Sequence, residues 1–327
     1  MSSNVAPLAS PAPSRGASEA AFAKVAWGVL AYTVFVVLFG AVVRITGSGA
    51  GCGQHWPTCQ GDAFVLPHGV KMVIEYSHRA TSGFSFFAVL GMTVLGFRRF
   101  PSGHAVRRFG VASLGLMLVE AYIGGVLVRR ALVADNVSVA RALVMSLHLV
   151  NTSLLTGAIA LTAWSGTHRS PRSWFPSDAL DWALAGALVA VLAVSVTGAV
   201  TALGDTLFPV QTTRPLAARL AADYATTATF LERGRAIHPA LAALVAVFLL
   251  AVARKAAEAR PRAAVERGAR IVSALVVIQV GAGVTNIALG APGAMQVVHL
   301  AIATTLWMSL VVFYATAKTS RGLHPSA

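Results

Sequence analysis

The stretch Val73-Ile74-Glu75-Tyr76-Ser77-His78-Arg79 leads into a long apolar run, and about 160 positions later Arg235-Ala236-Ile237-His238-Pro239 leads into another. His148-Leu149 and His299-Leu300 sit in the same way near the start of two further apolar runs. An ionisable or metal-binding side chain at membrane depth is unfavourable unless it serves a function. Neutral imidazole is a common axial ligand of haem iron. Two pairs of such histidines, His78 with His148 and His238 with His299, point to two haem-sized sites inside a helical bundle.

Composition supports the membrane setting of that bundle. The chain has 327 residues, 56% of them hydrophobic and 12% charged, a charge fraction about half that of a water-soluble domain. The apolar runs are long enough to cross a bilayer core, which takes about 20 residues in a helix. Backbone polar groups in lipid must pair within a helix or a closed barrel. The alternating pattern of a barrel strand is absent from the sequence. We expect an all-α polytopic membrane protein with eight transmembrane helices. The spans are predicted at Val25–Val43, Tyr76–Phe97, Phe109–Val128, Ala142–Trp164, Leu180–Ala202, Ala236–Ala253, Ile271–Leu289 and Ala294–Ala317. Met1–Glu19, rich in Ser, Ala and Pro, reads as disordered and without a cleavable signal pattern.

The net charge of +14 is a topology signal. With the N-terminus in the cytoplasm, most Lys and Arg fall in inside loops or tails, including Arg98, Arg99, Arg107, Arg108, Arg254, Lys255 and Arg270. Clusters in short inside loops orient membrane proteins. The expectation is therefore both termini cytoplasmic, a lipid environment, and no nucleic-acid partner.

The two halves of the chain repeat one another. Phe39-Gly40-Ala41-Val42-Val43 resembles Thr197-Gly198-Ala199-Val200-Thr201, and Glu120 with Gly124 corresponds to Gln279 with Gly283. A near-constant offset across several helices predicts two pseudo-symmetric four-helix bundles. An even number of helices per half keeps the repeats parallel, about an axis along the membrane normal. The predicted division is a disordered tail 1–24, a first half 25–170, a second half 171–318 and a tail 319–327. All four paired histidines then lie within about two turns of the outer end of their helices. His55, His68, His104, His168 and His324 show no repeat pattern and read as solvent-facing, with His55 and His68 near the site entrance.

Glu75 precedes His78 by three residues, so the two share a helix face. Moving protons, accepting a hydrogen bond and stabilising positive charge are the roles open to it. The plainer reading is an interfacial carboxylate paired with Lys71 or Arg79. No carboxylate stands beside His238, which suggests that the first half does chemistry and the second stores or relays electrons. Cys52 and Cys59, the only cysteines, lie in the first outside loop. A disulfide, a reversible redox pair and a metal pair are all open for them. Arg79 and Arg235, among the outer arginines, are candidates for holding haem propionates, because guanidinium binds carboxylate in bidentate fashion. Glu120 is an intramembrane carboxylate whose plain role is hydrogen bonding to a neighbouring helix. Gln279 and Asn286 read as packing groups.

Thr46–Gly61 and Val73–Arg79, together with Leu207-Phe208-Pro209, Arg235–Pro239 and the His148 and His299 segments, make the chain resemble haem A synthase over nearly its whole length. The resemblance implies a multi-pass enzyme of the bacterial inner membrane. That enzyme oxidises the C8 methyl group of haem O to a formyl group by successive hydroxylations with loss of water. It further implies that His238 and His299 bind haem b, that His78 and His148 serve the substrate haem, and that Glu75 is catalytic. Cys52 and Cys59 would be the family's first-loop pair. The chain lacks the extra cysteine pair that some members carry in the third outside loop, and Glu120 stands where a neutral amide is expected. Implied partners are haem O and haem A, an electron acceptor, haem O synthase, the cytochrome oxidase assembly route, and further copies of the chain itself. Two other classes share the histidine pattern: a di-haem electron-transfer cytochrome, and a haem transporter or chaperone.

Overall fold

A computed structural model describes residues 15–62, 64–210 and 212–320. The expected tail over residues 1–14 and the residues beyond 320, with His324, lie outside the described residues. Eight long helices form: α1 (Arg15–Ile45), α2 (Val70–Arg99), α3 (Ala105–Arg129), α4 (Val139–Ser165), α5 (Ala179–Leu207), α6 (Ile237–Ala259), α7 (Ala263–Ala288) and α8 (Gly293–Ser320). Among the described residues there is no strand, and each long helix is long and apolar enough to cross a membrane. The protein is a multi-pass membrane protein.

The helices reach beyond the predicted spans. Hydropathy detects only the part of a helix that is apolar, whereas backbone hydrogen bonding continues into charged flanks such as Arg254–Ala259 and Ala263–Arg270. The largest correction is at the start: α1 begins at Arg15, inside the segment read as disordered. Its Ala-rich opening has high helix propensity. Packing then secures it, with Phe22 fully buried edge-on against Phe100, 5.0 Å between ring centroids. Side-chain caps define several other starts: Ser138 accepts from the Arg141 amide, Asp178 from Asp181, and His104 from Val106. A capping box of Thr229 with Glu232 begins the short turn Phe230–Arg233 that leads into α6. Pro239 lies in the first turn of α6, where a missing N–H leaves no bond unmade.

In the first half, α1 packs on α2 and α4, and α3 packs on α2 and α4. The second half repeats this order, with α5 on α6 and α8, and α7 on α6 and α8. Each half is thus a four-helix square in which the two histidine-bearing helices stand diagonally. The halves meet through α4 with α5, α1 with α8, and α4 with α8. Exchanging the halves maps the first two contacts onto each other and the third onto itself, as a two-fold axis requires. Trp307 of α8 marks the seam: its indole N–H donates to the Ser153 carbonyl at 2.5 Å, and its ring covers Gly157 of α4.

The two largest apolar cores each fill one end of a square. Phe22, Leu30, Val89, Met92, Val106, Leu155 and Ile159 form the first core, and Leu184, Leu249, Val265, Val272, Leu310 and Phe313 the second. Both cores lie at the end away from the four histidines. That end of the second half is also closed by a buried ion cluster. Asp181, fully buried, accepts from Lys318 at 2.7 Å and Arg260 at 2.8 Å, and Arg260 also bonds Asp178 at 2.8 Å.

Candidate functional site

At the opposite end the helices carry small residues, and each of the four paired histidines lies over one of them. A methyl group added at Gly40 of α1 would approach His78 to 3.2 Å, and one at Gly124 of α3 would approach His148 to 3.9 Å. In the second half, Gly198 of α5 faces His238 at 2.9 Å and Gly283 of α7 faces His299 at 3.2 Å on the same measure. The repeated glycines therefore make room for imidazole on the adjacent helix. Their matched positions were visible in the sequence, but the reason for them was not.

In the second half, the His238 and His299 rings have centroids 6.3 Å apart and planes at 89°. His238 Nδ1 lies 3.2 Å from the Val194 carbonyl and 3.1 Å from the Thr197 hydroxyl, which leaves its Nε2 without either of these partners. His299 Nε2 lies 3.1 Å from the Gln279 amide nitrogen, and His299 Nδ1 is buried without a hydrogen-bond partner among the described residues. Buried polar atoms are seldom left unpaired, and an orphan calls for a water, an ion or a ligand. Metal–imidazole bonds of about 2 Å place two axial rings about 6 Å apart across one metal ion. By spacing, diagonal placement and an orphaned ring nitrogen, His238 and His299 are the residues that would hold a haem here. Gln279, read from sequence as a packing group, is a member of this site.

In the first half, His78 packs edge-on against Phe39, 5.6 Å between centroids, with its Nδ1 likewise buried and unpartnered among the described residues. Glu75 is 3% exposed. One carboxylate oxygen accepts from the Cys52 backbone N–H at 2.7 Å, and the other from Arg79 at 2.5 Å. Arg79 also donates to the His55 and Thr58 carbonyls. Cys52 and Cys59 form a disulfide, both buried. Arg129 donates to the Trp56 carbonyl at 3.1 Å, and the Trp56 ring lies over Gly125 of α3. The first loop is thus fastened across the open end of the first square by residues from α2 and α3. Glu75 sits where loop and helix meet.

Glu120 hydrogen-bonds the neighbouring helix α4, as expected from the sequence, and also faces a histidine there. Its Oε1 lies 3.3 Å from His148 Nδ1, outside hydrogen-bond alignment but within ion-pair distance. Asn151 donates to its Oε2 at 2.5 Å, and the Thr152 hydroxyl donates to its Oε1.

The outer arginines are largely engaged with protein. Arg235 bonds Asp223 at 2.8 Å, lies 2.9 Å from Asp205, and donates to the Gly204 and Phe208 carbonyls. Arg44 ties the halves together through Ala202, Thr206 and Gln296. Arg141 is buried and closes its own loop through the Ala134 and Asn136 carbonyls. A propionate at Arg79 or Arg235 would have to compete with these acceptors, whereas Arg130 and Arg214 are exposed. Of the other histidines, His55, His68 and His168 are exposed as expected. His104 is not simply solvent-facing: it caps α3 and stacks on Phe100 at 4.6 Å.

A family profile described as cytochrome oxidase assembly protein (COX15-CtaA) matches residues 23–311. A protein of Thermus thermophilus named protoheme IX farnesyltransferase is 42% identical over 297 residues, covering 91% of this chain and 48% of that protein. The chain therefore spans about half the length of that relative. A heme A synthase of Bacillus licheniformis is 27% identical over 170 residues, 51% of this chain and 53% of its own. Another, of Staphylococcus saprophyticus, is 37% identical over 90 residues, 28% of this chain and 30% of its own.

Proposed function

The chain belongs to the COX15-CtaA family of cytochrome oxidase assembly proteins, and we propose that it acts as a haem A synthase. Its reaction is the oxidation of the C8 methyl group of haem O to a formyl group, by successive hydroxylations with loss of water. The observation that carries this reading is asymmetry between two otherwise repeated sites. Both halves aim diagonal histidines at one end of a helical square, but among the described residues only the first sets a carboxylate against one of them, Glu120 against His148, with Glu75 three positions before His78 on the same helix.

In this reading His238 and His299 hold haem b, which supplies one-electron redox chemistry when bound. The substrate haem lies between α2 and α4, served by His78 and His148. Glu75 accepts a proton at a carboxylate oxygen during oxidation of the methyl-derived carbon, and Arg79 holds that carboxylate in place. The loop pinned by Arg79 and Arg129 keeps bulk water from the reacting group. The histidine end faces the periplasm of a bacterial inner membrane, with both termini cytoplasmic. An electron acceptor, a haem O synthase and the oxidase assembly route are its partners.

The farnesyltransferase name belongs to a chain about twice as long. Prenyl transfer from a diphosphate would need carboxylates to hold a divalent cation. Here Asp178 and Asp181 bond Arg260, and Asp205 and Asp223 bond Arg235. We therefore assign the matched half to the oxidation and read farnesylation of protohaem as the reaction that supplies its substrate.

The test is chromatography of haems extracted from cells that express the chain together with a source of haem O. Hydroxylated and formyl haems are expected. Unaltered haem O beside two permanently bound haems would instead favour an electron-transfer cytochrome.

The glycine contacts yield a second expectation. Gly198→Ala would press a methyl group onto the His238 ring and displace it from the Val194 carbonyl. The purified variant is expected to lose the bis-histidine absorption of haem b. Gly281→Ala, whose added methyl meets nothing within 4 Å, is expected to keep it. Equal spectra for both variants would reject a role for the glycine in placing the ligand.

A further inference from the structure

We infer that Glu120 is a positioning residue that lends His148 anionic character and holds the first-half haem at a lower reduction potential than the second-half haem. This rests on the reading that each half binds a haem.

Repeat-related positions differ here in a coordinated way. In the first half a carboxylate oxygen of Glu120 faces His148 Nδ1 at 3.3 Å, which leaves Nε2 for a metal. In the second half the matching residue is Gln279, whose amide nitrogen meets His299 Nε2 at 3.1 Å. The support differs as well. Asn151 and Thr152, one turn beyond His148 on α4, donate to the two Glu120 oxygens. The positions that correspond to them on α8 are Ile302 and Ala303, which have no side-chain donor. Carboxylate and donors thus occur together in one half and are missing together in the other, so the first half carries a built acceptor for a histidine N–H.

A carboxylate behind a metal-bound imidazole fixes its tautomer and raises its basicity. Greater ligand basicity favours the oxidised metal over the reduced one, whereas the Gln279 amide nitrogen can only donate to His299 and supplies no such acceptor. Unequal partners in repeated sites therefore make the two halves unequal as electron acceptors. Electrons removed in the first half run toward His238 and His299, the direction an oxidation centred on the first half requires. The 3.3 Å contact lies within ion-pair distance without hydrogen-bond alignment, and such contacts are often loose before ligand binds.

The experiment is an optical redox titration of purified protein loaded with haem O, comparing wild type, Glu120→Gln and Gln279→Glu. The wild type is expected to show two midpoints, assigned by which one His148→Ala or His238→Ala removes. Glu120→Gln should move the first-half midpoint to more positive potential and leave the other in place, and Glu120→Asp should restore part of the shift. Gln279→Glu should move the second-half midpoint to more negative potential. An unmoved first-half midpoint in Glu120→Gln at full haem content overturns the inference, as does an equal shift of both midpoints. If Glu120→Gln fails to retain haem, Gln279→Glu decides alone, and an unmoved midpoint there overturns it. A wild-type protein whose haem content is unaffected by His148→Ala would overturn instead the reading of two haem-bearing halves.

Discussion

Glu75→Gln is expected to leave the haem b spectrum intact and to lower formyl haem output by about two to four orders of magnitude, the usual weight of a general acid or base. The substitution is nearly isosteric. Its amide oxygen still accepts from the Cys52 N–H, so the loop keeps one of its two ties to this side chain. What disappears is the charge that pairs with Arg79 and the ability to take a proton. Arg79 retains the His55 and Thr58 carbonyls and stays placed. A purely structural Glu75 would therefore tolerate glutamine well, and a chemical one would not. Haem chromatography on cells supplied with haem O reads the outcome, with the second-half spectrum as an internal control. Normal haem A output from the variant would remove Glu75 from the chemistry.

Asp181→Ala is expected to destabilise the fold by about 3–5 kcal/mol, because breaking a buried ion cluster leaves its partner charges uncompensated. Lys318 Nζ and Arg260 both point at this fully buried carboxylate. The cluster joins α5, α8 and Arg260, the residue that caps the end of α6, at the end remote from the histidines, so it bears on assembly of the second square rather than on chemistry. Denaturation of purified protein in detergent should show the loss as a lower midpoint. Replacing Asp181, Arg260 and Lys318 together by apolar residues should recover much of it, since an apolar cluster avoids the unpaired charges. A single variant that unfolds at the wild-type midpoint would show that the cluster contributes nothing net.

Much of this was legible beforehand, for identifiable reasons. Hydropathy located all eight helices but trimmed their ends, because charged flanks continue a helix without adding apolar signal. The offset repeat anticipated the two squares, and the i, i+3 spacing flagged Glu75 beside His78. The histidine neighbours of Glu120 and Gln279 were not legible. On a single helix each looks like an ordinary intramembrane polar group, and only the neighbouring helix supplies the histidine that gives it meaning. Arg79 and Arg235 looked available for propionates for the same reason: their carbonyl and carboxylate partners lie on other segments.

The chain alone determined eight apolar helices, their duplication, and four imidazoles at matched places, because composition and periodicity are local properties that burial in lipid imposes on each segment. The three-dimensional arrangement alone decided which side chains became neighbours: Glu75 with the Cys52 amide, Glu120 with His148, and Gln279 with His299. Such pairings depend on how each helix is rotated about its axis against the next. That rotation is set by packing summed over whole faces, and it leaves no mark at any one position.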